Sequence, residues 1–76
     1  MAKKPQPVDQ VVAANIKRAR VHRGYSQIEF AQKVGISCSL LNHYEKGELN
    51  VRGEDLWAIA KELDVAIDWF LLKAVV

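Results

Sequence analysis

Cysteine, proline and long apolar runs are all scarce in this 76-residue sequence. The single cysteine, Cys38, excludes an internal disulfide, which points to a soluble protein of a reducing cytoplasm. The apolar runs 69–72 and 74–76 are far too short to span a bilayer. Lys3 and Lys4 lead into Pro5, Gln6 and Pro7 and not into an apolar stretch, so neither a membrane partner nor a signal peptide is expected. A glycine-rich phosphate loop, a carboxylate pair and a triad pattern are all missing, and so short a chain has no room for a second domain or a deep cleft; no enzyme is expected. Cys38 and His43 are five apart, a poor spacing for one ion, and no further ligand lies nearby, so no metal and no cofactor are expected. What the chain does have is hydrophobic content, 50%, enough to exclude disorder.

Acidic residues are scarce in one half only. Residues 1–46 carry eight Lys and Arg against three Asp and Glu, a balance of +5, while residues 47–76 carry three against six, a balance of −3. That split suits a module that docks on phosphates with its first half and keeps the other for folding or self-association.

Within the basic half, residues 27–47 specify one supersecondary unit. Ser26 is a cap for a helix starting at Gln27, with Glu29 three residues on as a capping box prefers. Phe30, Ala31 and Val34 share one face and Gly35 stops the helix. Ile36 plugs the turn, Ser37 caps a second helix, Leu41 and Tyr44 face inward, and Gly47 ends it. A connection this short, with small Ala31 at the closest approach, forces a steep crossing, the geometry of a helix-turn-helix. Cys38, Ser39, Asn42, His43 and Lys46 then face outward, a short polar surface that a major groove accepts.

The rest of the chain supports this pair. Residues 1–8 read as a flexible N-terminal arm and residues 9–76 as one domain. Asp9 is expected to cap a first helix running to about Arg23, with Val12, Ile16 and Ala19 or Arg20 inward. Its basic residues Lys17, Arg18, Arg20 and Arg23 repel one another unless something external balances them, Arg20 having an internal partner. Tyr25 is expected to pack its ring inward and keep its hydroxyl wet. A fourth helix, from Gly53 or Glu54 to Leu63, presents Leu56, Ile59, Ala60 and Leu63, and a fifth, from about Ala66 to Leu72, presents Ile67, Phe70 and Leu71. Trp57, Trp69, Leu72, Val75 and Val76 exceed one inward stripe, leaving a second apolar surface suited to a homodimer.

The run from Ile16 to Leu71 resembles the Cro/C1-type helix-turn-helix domain of phage repressors, the Xre family. The resemblance is carried by Arg20, Ser26 with Gln27, Glu29, Ala31, Val34 with Gly35, Ser37, Glu45 with Gly47, and the ending from Leu63 to Leu71. It implies an all-α fold, a compact five-helix lambda-repressor-like domain with the third helix as recognition helix. It implies base contacts from Cys38, Ser39, Asn42 and His43, phosphate contacts from Gln27, Lys46, Asn50 and Arg52, and a structural ion pair between Arg20 and Glu45. Four residues depart from the family pattern: Leu40 for a small or polar residue, Cys38 for glutamine or arginine, Gly53 for a hydrophobic residue that seats the fourth helix, and Asp64 for the usual helix-ending glycine.

The function expected is that of a sequence-specific transcriptional regulator of double-stranded DNA, a repressor bound as a dimer to a pseudo-palindromic operator. Two alternatives belong to other classes: an antitoxin-type module that takes a small protein partner on its apolar C-terminal face, and the DNA-targeting domain of a longer regulator.

Overall fold

Four α-helices succeed one another with short connections, and each ends where the backbone turns left-handed. The computed structural model describes residues 7–72, with side chains from Asp9 onward: α1 is Pro7–His22, α2 Gln27–Val34, α3 Cys38–Glu45 and α4 Gly53–Leu63, followed by a 3-10 turn, Ile67–Leu71. The left-handed residues are Gly24, Gly35, Gly47 and Asp64, with φ of 80°, 86°, 72° and 56°. After each, an N–H returns to a carbonyl five residues back: Tyr25 to Arg20 at 3.2 Å, Ile36 to Ala31 at 3.0 Å, Glu48 to His43 at 3.1 Å and Val65 to Ala60 at 3.1 Å. One C-terminal device thus satisfies the last carbonyls of all four helices.

At Gly47 the demand is conformational, and a side chain there would also displace the end of Gln10. A Cβ there would fall 2.5–2.8 Å from the Gln10 side chain, whose Nε2 donates to the Gly47 carbonyl at 3.1 Å. Asp64 is the one non-glycine among the four, and it closes α4 in the position a glycine would fill at lower cost.

The helix starts follow local chemistry. In α2 the Ser26 hydroxyl accepts from the Glu29 N–H at 3.0 Å and the Ser26 N–H donates to Glu29 Oε1 at 3.1 Å, a complete capping box. In α3 the Ser37 hydroxyl accepts from the Leu40 N–H at 3.0 Å. α4 starts at Gly53, at the early end of the expected range, with no side-chain cap but with Glu54 and Asp55 in its positive first turn. α1 begins at Pro7 and not at Asp9, so 7 and 8 belong to a helix; proline suits a first helical position, having no N–H to leave unpaired. The remainder of the expected arm, 1–6, lies outside the described residues.

Val12 and Ile16 of α1, Phe30 and Ala31 of α2, Leu41 of α3, Ile59, Ala60 and Leu63 of α4, and Phe70 form one buried cluster. α1 packs against α3, α4 and the 3-10 turn, and α2 against α3 and α4. The fifth helix is this 3-10 turn, and only Phe70 of it is buried; Ile67 and Leu71, expected inward, are 38% and 53% exposed. Buried Asn15 fastens this turn: its Nδ2 donates to the carbonyls of Phe70 at 2.9 Å and Leu72 at 2.6 Å. Val75 and Val76 lie outside the described residues.

Two expected outcomes follow from the caps. The Ser26 N–H, and after it the Ser26 hydroxyl, hold the Glu29 carboxyl below its ordinary value of 4.5. A depressed carboxylate contributes stability above its unfolded value and loses it as pH falls through the folded one. The stability advantage of the parent chain over Glu29→Gln should therefore be present near neutral pH and shrink below about pH 4.5 in urea titrations; an advantage that persists in acid refutes the box as its source. Asp64→Gly should raise stability by about 0.5–1 kcal/mol, and a lower urea midpoint would contradict that.

Candidate nucleic-acid interface

α3 is held at its inner face by a buried ion pair. Arg20 Nε donates to Glu45 Oε2 at 2.6 Å, its second terminal nitrogen to Oε1 at 3.1 Å, and its first to the Tyr25 carbonyl at 2.7 Å. The two side chains are 9% and 2% exposed, so both charges have left water and are compensated by geometry. Gln27, at the start of α2, completes the cluster: its Nε2 donates to Glu45 Oε1 at 3.0 Å and to Asn42 Oδ1 at 3.4 Å. One carboxylate therefore collects groups from α1 and α2 and fixes α3 against both.

Ser39, His43 and Lys46 are exposed, at helical spacings of four and three, and Asn42 lies half-buried beside them with its oxygen turned to Gln27. Cys38 departs from the outward group. It stands three residues before buried Leu41, the same-face spacing of a helix, and packs partly against the core cluster. His43 Nδ1 lies 2.6 Å from Glu48 Oε1 in the following loop, a contact that sequence reasoning missed because it is formed across the left-handed turn at Gly47.

The residues expected at phosphates are placed unevenly. Lys46 is exposed at the end of α3. Gln27 spends its amide donors on α3. Asn50 Nδ2 donates to both oxygens of buried Asp9, each at 3.0 Å, and so fastens the loop to α1; this also gives Asp9 a role other than the expected cap. The Arg52 guanidinium pairs with Glu54 at 2.7 Å on the surface, while its backbone N–H lies 3.5 Å from the Tyr44 hydroxyl. That hydroxyl donates to Asp55 Oδ2 at 2.6 Å, and burial first, then this bond, push Tyr44 up to about 12.

On α1 the expected excess of positive charge is smaller than its sequence implies. Arg20 is balanced by Glu45, while Arg23 keeps its charge and donates to the Leu63 carbonyl at the end of α4 at 3.3 Å. Tyr25, whose hydroxyl was expected to stay wet, donates to Glu62 Oε2 at 2.7 Å, and this bond raises its pKa. Lys17 and Arg18 remain on the exposed side. Among the described residues no group of three or more His, Cys, Asp or Glu is placed to hold a metal ion, and no helix is long and apolar enough to cross a membrane.

A capped helix pair with a polar outer stripe defines a helix-turn-helix protein, and residues 16–70 match the helix-turn-helix family HTH_3. The chain belongs to that family, the Xre or Cro/C1-like group. It is 34% identical over 72 residues to the uncharacterized HTH-type transcriptional regulator R00410 of Rhizobium meliloti (strain 1021), covering 95% of this chain and 52% of that protein. The chain thus spans about half the length of the curated relatives it matches. Among solved structures it resembles the hypothetical transcription factor NHTF from Neisseria, with a TM-score of 0.83 and 28% identity over 96% of this chain and 84% of that one. It also resembles the biofilm master regulator SinR, solved in complex with DNA, with a TM-score of 0.76 and 31% identity over 80% of this chain and 98% of that one.

Removing one partner of the Arg20–Glu45 pair strands the other charge in the interior. Glu45→Ala should cost about 3–5 kcal/mol in chemical denaturation, and the apolar double replacement Arg20→Met with Glu45→Leu should cost less than that single change. Equal losses in the two would show that packing, and not the stranded charge, sets the penalty.

Proposed function

We propose that this chain is the DNA-reading domain of a transcriptional repressor, laying α3 in the major groove of double-stranded DNA. The observation that carries the reading is the exposed stripe Ser39, His43 and Lys46 with Asn42 beside it, on a helix whose inner face is locked by Arg20, Gln27 and Glu45. Short donors and acceptors on a rigid helix match the edges of base pairs, and a mobile helix would forfeit that match. The likeness to SinR, which has been solved with DNA, supports the same reading. The role is one of binding and not of catalysis, in line with the regulators this chain resembles.

Ser39, Asn42 and His43 discriminate bases in this reading, and Lys46 supplies phosphate attraction. Because Gln27 occupies the oxygen of Asn42, the amide nitrogen of Asn42 is the group offered to the groove, a donor suited to guanine or to thymine O4. Cys38 contributes at most the edge of its thiol. Asn50 reaches a phosphate only by leaving Asp9, and Arg52 shares its charge with Glu54.

The regulator acts as a symmetric dimer on a pseudo-palindromic operator, with recognition helices about 34 Å apart. Trp57, Leu71 and Leu72, which are 56%, 53% and 61% exposed, support an apolar face for a second copy. The same face supports the second reading, a small protein partner, since SinR is also known in a complex with SinI.

Selection from randomised duplexes, followed by titration of the winning site at two salt concentrations with native mass determination, tests this. The expected result is an inverted repeat bound by two copies. Asn42→Ala should flatten preference at one or two base pairs by about 1–3 kcal/mol. Lys46→Ala should weaken all sequences alike and lower the salt slope by about one. Binding no tighter than to random duplex refutes the groove-reading role.

A further inference from the structure

His43, like Asn42 beside it, has its hydrogen-bonding sign set by another residue. A serine hydroxyl offers both a donor and an acceptor on one oxygen, whereas a neutral imidazole has one of each, on different nitrogens. Glu48 Oε1 lies 2.6 Å from His43 Nδ1, with the two side chains 48% and 52% exposed. The bond to His43, aided by the nearby charge of Lys46, holds the Glu48 carboxyl below the ordinary carboxylate range against the opposing effect of burial, so this group is an ionised acceptor. An ionised carboxylate only accepts, so the proton in the contact belongs to Nδ1. In the neutral ring Nε2 then carries a lone pair and no proton.

We propose that Glu48 is a specificity-determining residue: by holding His43 in the Nδ1–H tautomer it makes Nε2 a hydrogen-bond acceptor on the DNA-facing side of α3, selecting a base with an amino group. This rests on the groove-reading role of α3. In the major groove the amino groups are adenine N6 and cytosine N4, while guanine O6 and N7 and thymine O4 are themselves acceptors. An Nε2 lone pair facing either of the latter is repelled, so one position of the half-site should prefer A or C on the contacted strand. Glu48 sits in the loop and acts through the imidazole, which makes it a positioning residue and not itself a reader. Its negative charge weakens binding to every duplex alike, so base preference and not affinity is the informative quantity.

Two measurements on the whole chain test this. Ring nitrogen NMR, taken where His43's own titration shows the neutral form, should report Nδ1–H in the parent. Glu48→Ala should shift the ring toward Nε2–H, the tautomer that an unconstrained histidine side chain favours in water, and Glu48→Gln, which keeps an acceptor oxygen, should largely restore Nδ1–H. In selections from randomised duplexes the parent and Glu48→Gln should prefer A or C at one position. His43→Ala should flatten that position alone, and Glu48→Ala should move its A-or-C over G-or-T ratio by at least about fivefold toward G or T. The same NMR spectra report whether each variant is folded. An Nε2–H ring in the parent overturns the proposal, as does an unchanged profile in Glu48→Ala once its ring has switched tautomer. Selective binding with that unchanged profile leaves the groove-reading role standing. Loss of selectivity at every position, with Nδ1–H still seen, overturns both.

Discussion

The arrangement of this protein depends on one buried carboxylate. Glu45 accepts from Arg20 of α1 through both oxygens and from Gln27 of α2, so three helices meet at one charge. A pair this dry adds little net stability over an apolar contact, because desolvation consumes most of the Coulomb attraction. What it supplies is direction. The guanidinium fork fits a carboxylate in few geometries, and Arg20 also holds the Tyr25 carbonyl in the connection to α2. The crossing of α2 and α3 and the seating of both on α1 are therefore set together.

Around that centre, polar ties secure the chain where apolar burial runs out. Asp9 holds Asn50, Gln10 holds the Gly47 carbonyl, Asn15 holds the carbonyls of Phe70 and Leu72, and Tyr44 holds Asp55. Among the described residues no buried side-chain nitrogen or oxygen lacks a partner. These ties have a consequence for the interface: a polar residue near α3 is not thereby available to DNA. Gln27 and Asn50 are engaged internally, and the groups left outward are those whose helical position turns them from the core.

A second consequence concerns the opposite chemistry. Ile67, Leu71 and Leu72 stay exposed on the turn that Asn15 fastens, and Trp57 is exposed with Lys61 Nζ 5.0 Å from its ring centroid. A small domain whose core is complete with Phe70 has no interior place for these side chains. They remain available to whatever packs against the chain.

The features legible in the sequence are those settled within a few residues. Ser26 with Glu29, Ser37 before α3, and the glycines after α1, α2 and α3 work through local backbone, and the 3.6-residue period marks Phe30, Leu41, Ile59 and Leu63 as inward. The helix-turn-helix and the family could thus be read from the chain. Cys38 was expected outward with its polar neighbours, and it packs partly against the core because it stands three residues before buried Leu41.

Tertiary structure alone decided where the distant polar groups end. Asp9 and Asn50 are 41 residues apart and Asn15 and Phe70 are 55 apart, so no local pattern records that they meet. The last turn, which that second meeting fastens, takes a 3-10 form with Ile67 and Leu71 exposed. Even His43 and Glu48, five residues apart, come together only because Gly47 turns the chain back. Sequence by itself determined where α2, α3 and α4 begin and end and most of their inner positions, since short-range backbone chemistry and periodicity govern them. Which polar side chains stay outward, and with what hydrogen-bonding sign, depended on partners that only folding brings within 3 Å or so of each other.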